Sequence, residues 1–109
     1  MKKFVEIIKM EYKIVISIEA ETDISEAYCY YEKEKPGWGD RFLVELDIFY
    51  KKLKRHPTYY SFVGEEKTIR ALTLKVFPFK IIYEISGEEL YVFAIHHSSR
   101  HDDHFNKRI

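Results

Sequence analysis

An α+β domain is what this sequence predicts: an N-terminal strand, a two-helix antiparallel hairpin, then a three-strand antiparallel meander, with both helices packed on one face of the sheet. Three observations carry that expectation. β-Branched residues crowd YKIVISIE near the start, two helix-period stretches flank a Pro-Gly break at positions 36 and 37, and three short β-rich runs follow one another from Lys67 onward. Strands on both sides of a helical hairpin in sequence imply one sheet with the helices laid against it.

Taken in order, YKIVISIE (Tyr12 to Glu19) is short and β-branched enough to be the first strand. In ETDISE, Asp23 can cap a helix while Glu26 reaches back to the cap amide, and Ile24, Ala27, Tyr28 and Tyr31 then recur at helical spacing. The first helix is therefore expected from about Ile24 to Lys35. Pro36 and Gly37 break it, because proline disfavours helix in the residue before it and glycine permits the turn. A second amphipathic helix, from about Gly39 to Arg55, carries the stripe Phe42, Leu46, Phe49 and Leu53, widened by Leu43 and Tyr50. Pro57 stops it, and Lys51, Lys52, Lys54 and Arg55 suit the negative end of its dipole. TIRALTLKVF, FKIIYEIS and ELYVFAIHH are the three later strands, the last two joined by SGEE. Phe79, Ile81, Tyr83 and Ile85 alternate with Lys80, Ile82, Glu84 and Ser86, so Lys80 points away from the helices, towards a face left open.

A chain of 109 residues is the size of one domain, so a single domain over 1–109 is expected, with residues 1–11 as an N-terminal extension. Hydrophobic residues at 46% and aromatics at 17% suffice to build a core, which excludes a disordered chain. Eighteen Lys and Arg balance eighteen Asp and Glu, so contact with nucleic acid would need a local basic patch. Cys29 alone can form no internal disulfide; it suits a reducing compartment and reads as a small buried or half-buried thiol. Glu6, Lys9 and Glu11 interrupt any signal-peptide core or membrane span, so a cytoplasmic protein without membrane association is expected.

The hairpin broken at KPGWGDRF, the RHP that ends it, and then IRALTLKVFPFKIIYEI and AIHHSSRHDDHF resemble the RelE/ParE superfamily of type II toxin–antitoxin toxins, also called plasmid stabilisation proteins. The similarity runs from about Tyr12 to Arg108, and its most specific part is FPFKIIYEI followed after one strand by His96-x-x-x-Arg100. It implies the RelE/ParE-like fold and a growth-inhibiting toxin neutralised by a cognate antitoxin in a hetero-oligomer. The antitoxin would lay an extended or helical segment over the open sheet face and the hairpin groove. ParE-like members poison DNA gyrase, whereas RelE-like members cut messenger RNA on the ribosome. The long hairpin and the FPF segment look closer to the ParE branch.

The site follows from the same resemblance. In a ribosome-dependent endoribonuclease, Lys80 would stand where RNA-cutting members carry an arginine, Arg100 would match their arginine after the last strand, and both would bind phosphate. Phe105 cannot transfer a proton as their C-terminal tyrosine does, so His104 or His101 would have to. Asp102, Asp103 and Glu84 lower the positive potential there, which favours the gyrase-binding reading. In that reading Arg70, Lys80, His97, Arg100 and Trp38 meet target or antitoxin. Their plainer roles are also expected: Arg70 as a solvent-side sheet residue, Arg100 in a surface ion pair, Trp38 packing the helical corner. One of His96 and His97, on opposite strand faces, is expected inward and hydrogen-bonded. A metal would need ligands converging at about 2 Å; AIHHSSRHDDHF has no matching cluster elsewhere, so neither metal nor cofactor is expected. A third possibility is a toxin-fold protein without activity.

Overall fold

In the computed structural model, which describes residues 12–99 and Arg108, the chain runs β1 (Lys13–Ile16), α1 (Ile18–Glu34), α2 (Trp38–Arg55), β2 (Phe62–Val63), β3 (Ile69–Thr73), β4 (Phe79–Ser86) and β5 (Glu89–His97). The sheet is mixed, in the order β1-β5-β4-β3-β2. β1 pairs parallel with β5, from Lys13↔Glu89 to Ile16↔Val92, while the other strands form an antiparallel meander. The last two strands have the bounds of the β-rich runs FKIIYEIS and ELYVFAIHH. The meander gains a fourth, two-residue strand at Phe62–Val63 that is too short to show a period.

The first helix begins six residues earlier than the capping-box reading placed it. Ser17, not Asp23, is its N-cap: the Ser17 hydroxyl oxygen accepts from the Ala20 amide at 3.0 Å, and Glu19 and Glu21 lie in the first turn. That cap wins because it makes a second bond, the hydroxyl donating to the Phe93 carbonyl of β5 at 3.2 Å. The first strand is correspondingly shortened. The helix still ends at the Pro-Gly break. There the Glu32 carboxylate accepts from the amides of Gly37 and Gly39, both at 3.0 Å, and Gly37 takes φ 92, a conformation in which any Cβ would be strained.

α2 lays Phe42, Leu46 and Leu53 into a core with Leu72, Leu74, Phe77, Ile81, Tyr83, Leu90, Val92 and Ile95. Leu43, expected to widen the stripe, is exposed instead. Glu45 shares the buried side of the helix, 8% exposed, because its carboxylate accepts from the amides of Lys75, Val76 and Phe77 at 3.1, 2.7 and 3.1 Å. This is why TIRALTLKVF is strand only to Thr73: its last residues turn around a carboxylate from the helical layer. Pro57 offers its carbonyl to the Tyr83 hydroxyl at 2.5 Å, tying the end of the hairpin to β4.

Two further expectations change. Cys29 is exposed on the outer face of α1. The sheet face away from the helices is not bare: Ile82 and Ala94 are fully buried there beside Ile69, with Val63, Ala71 and Phe93 packed around them.

Candidate functional site

Lys80 lies on that far face, as its alternation predicts. It stands directly across from Thr73 on β3 and from His96 on β5. His96 is 3% exposed while Lys80 is half-buried, so the two nitrogen-bearing groups sit at the margin of the small Ile69, Ile82 and Ala94 cluster. Glu84 shares this face but is four residues along the strand, roughly 13 Å away at 3.3 Å per residue and beyond the Debye length of about 8 Å. It does little to Lys80's potential.

A bulge in β5 decides which histidine faces which layer. The register passes from Tyr83↔Val92 to Ile82↔Ala94, leaving Phe93 without a cross-strand partner. One extra residue reverses the in-out alternation. Leu90 and Val92 before the bulge and Ile95 after it therefore all point into the helix-side core. His96 is turned to the far face, and it is the buried histidine. His97 faces the helical side, its ring edge-on to Phe79 at 5.0 Å between centroids and its Nδ1 2.7 Å from the Ser99 hydroxyl.

His97 opens onto a groove of about 640 Å³ between α1 and the part of β5 that β1 does not cover. Tyr30 and Tyr31 wall it on the helix, and Asp23 and Glu26 supply its charge. Asp23 is no cap; its Oδ2 accepts from the Ile95 amide at 3.0 Å and from Arg108 at 2.7 Å, while Oδ1 accepts from the other guanidinium nitrogen at 3.2 Å. Arg108 also donates to the Phe93 carbonyl at 3.2 Å. The bond to Asp23, aided by Glu19 and Glu26, holds the Arg108 guanidinium above its ordinary pKa against the opposing effect of partial burial.

The remaining sequence candidates separate. Arg70 lies on the helix-side face, opposite Tyr83, not on the solvent side. Its guanidinium donates to the Thr58 and Tyr60 carbonyls at 3.1 and 2.6 Å and stacks on the Phe62 ring at 3.9 Å. Trp38 packs the helical corner, edge-on to Phe77 at 5.9 Å, with Arg41 5.4 Å and Lys35 5.9 Å from its ring. Arg100, His101 and His104 lie outside the described residues. Among the described residues, no group of three or more His, Cys, Asp or Glu could hold a metal ion, and no helix is long and apolar enough to cross a membrane.

The fold has a counterpart among solved structures. A chain of the chromosomal ParDE TA system from P. aeruginosa superposes with a TM-score of 0.69, covering 79% of this chain and 95% of its own length at 19% identity. The fold is ParE-like. No family model and no curated protein matches the sequence. At that identity the ParE-like fold is shared while individual side chains are not carried across, so each residue's role rests on the geometry of this chain.

Sequence reasoning missed Glu45 and misassigned Asp23. Glu45 had a legible signal, a carboxylate three residues after Phe42 and one before Leu46 on the stripe that must be buried. Asp23 had none, since its partners Ile95 and Arg108 are 72 and 85 residues away in sequence.

Proposed function

We propose that this protein is the toxin of a type II toxin–antitoxin module, neutralised by a cognate antitoxin in a cytoplasmic hetero-oligomer and arresting growth by binding DNA gyrase. The observation that carries the reading is the ParE-like fold, shared with a chain of a ParDE TA system over 79% of this sequence. Zero formal charge supports a protein target over a phosphate backbone. The far sheet face adds apolar contact area in the partly exposed Ala71, Phe93 and the Tyr91 ring 4.8 Å from that of Phe93, the kind of surface a protein partner buries.

A second reading, ribosome-dependent cleavage of messenger RNA, is favoured by one observation: Lys80 stands directly across from the buried His96, a cation beside an imidazole. Pulse labelling separates the two. After induction in bacteria lacking the antitoxin, thymidine uptake is expected to fall within minutes, before uptake of a labelled amino acid. Early loss of protein synthesis would replace gyrase by the ribosome, and undisturbed growth would remove the toxin reading.

A further inference from the structure

α2 carries two stripes. The inward one, Phe42, Leu46, Phe49 and Leu53, packs in the core. The outward one consists of Asp40, Val44, Asp47, Ile48, Lys51 and Arg55, all exposed, which fall within an arc of roughly 100° at about 3.6 residues per turn. At its centre two large aliphatic side chains stand in water one turn apart, Val44 at 59% and Ile48 at 47% exposed, with Leu43 at 39% beside them. A solvated helix face is polar throughout; an apolar patch rimmed by charge is a contact surface.

The spacing of this face suits another helix. Residues 40, 44, 47 and 51, and again 44, 48, 51 and 55, alternate four- and three-residue steps, the seam along which two helices interdigitate. Its charges select the helix. Asp40 and Asp47 lie towards the N-terminal end, Lys51 and Arg55 towards the C-terminal end, so the face is complementary to its own reverse. An acidic partner would meet Asp40 and Asp47 and a basic one Lys51 and Arg55, whereas an antiparallel second copy sets each end against its opposite. The two cations at the margin of the stripe are engaged within the chain, Arg41 on the Trp38 ring at 5.4 Å and Lys52 on the Phe49 ring at 4.8 Å. Lys51 pairs with Asp47 at 3.1 Å, yet the two side chains are 72% and 63% exposed, which leaves Lys51 open to a second carboxylate.

We propose that this protein self-associates through the outward face of α2, as an isologous pair of antiparallel helices. The two-fold axis passes between Val44 and Ile48, so that Val44 packs on the partner's Ile48 and the reverse. With a rise of about 1.5 Å per residue, Asp40 and the partner's Lys51 then stand within about 1.5 Å of the same level along the helices, and the partner's Arg55 lies about one turn beyond. The two copies of Asp47 come close to the axis, and each keeps its own Lys51 as counter-ion. The contact is at most about 27 Å long and roughly 10 Å wide, a footprint well under the about 800 Å² per partner of a stable dimer. The association is therefore weak and exchanges readily. It is independent of what the protein acts on, and it leaves the far sheet face free for a target.

The test is sedimentation velocity of the full chain from roughly 5 to 500 µM, a range that brackets weak association. The weight-average mass is expected to rise with concentration from 13.2 kDa towards twice that value. Val44→Glu, at an exposed position, is expected to abolish the rise while leaving the urea midpoint of the monomer in place. Asp40→Lys and Lys51→Glu are each expected to weaken association about fivefold, since symmetry makes each change twice. The double variant is expected to associate more tightly than either single one, because the exchanged charges meet again. A mass that stays at 13.2 kDa throughout, a rise that survives Val44→Glu, or charge changes whose costs simply multiply overturns the proposal. So does a monomeric chain from which Val44→Glu strips a co-purifying antitoxin, which gives the face to that protein instead.

Discussion

Tyr50 carries a hydroxyl that is buried without a hydrogen-bond partner among the described residues. A phenol in that position has lost its water and gained nothing, a cost of about 1–3 kcal/mol. Tyr50→Phe keeps the ring and removes the cost, so unfolding in urea is expected to show a gain of about 1 kcal/mol. The same burial pushes the Tyr50 phenol well above its ordinary pKa, as it does for Tyr83, where Arg70 opposes the shift. The sign follows from linkage. Below pH 10 the phenol is neutral in both states and the native preference is fully present; above it the unfolded chain ionises first, and stability is lost until the folded phenol also ionises. Each such tyrosine contributes a slope of about 1.4 kcal/mol per pH unit in that window. Melting temperatures between pH 9 and 11.5 are expected to fall less steeply in Tyr50→Phe than in the wild type, Tyr83 retaining its share. Parallel curves would show that Tyr50 is already solvated.

At the scale of elements, the helical corner is set by a close approach. A Cβ on Gly39 would stand 2.7 Å from the Tyr28 ring and 2.8 Å from the Glu32 carboxylate that holds the amides of residues 37 and 39. Tyr28 can swing outward, but Glu32 cannot move without freeing those amides. Gly39→Ala is therefore expected to cost about 1–3 kcal/mol in urea unfolding, despite alanine's better helix propensity; a stabilised variant would mean that the corner opens without loss. The same scale shows why some of this molecule can be read from its sequence. α2 and β4 obey one period each and end at residues that stop them, so local chemistry suffices. The start of α1 failed that test because two residues could cap it, and the deciding bond runs from Ser17 to Phe93. The parallel pairing of β1 with β5 is likewise invisible to local periodicity. The bulge at Phe93 is the most consequential omission, since strict alternation leaves open which of His96 and His97 faces the helices, and the candidate site depends on the answer.

Across the whole molecule, two carboxylates from the helical layer bind backbone amides outside it: Glu45 of α2 holds the amides of 75–77, and Asp23 of α1 holds Ile95 and receives Arg108. Hydrophobic contact brings the layers together but leaves their relative position soft; a carboxylate accepting directed bonds fixes it. Removing either should leave buried donors unpaired, at about 3 kcal/mol each for Glu45→Ala and Asp23→Ala. A domain of this size has about 5–15 kcal/mol in total, so each single variant is expected to remain folded with a lowered urea midpoint and an unchanged slope. The two carboxylates share no bonding partner, so the double variant is expected to lose the sum, about 6 kcal/mol, and to lie near the threshold of folding. Hydrogen exchange locates the effects: the amides of Lys75 to Phe77 should exchange faster in Glu45→Ala, and that of Ile95 in Asp23→Ala, by more than the global loss explains. Single costs below about 0.5 kcal/mol would mean that packing alone sets the register between helices and sheet. A double cost well short of the sum would mean that α1 and α2 dock as one unit, so that loosening either helix already releases the other.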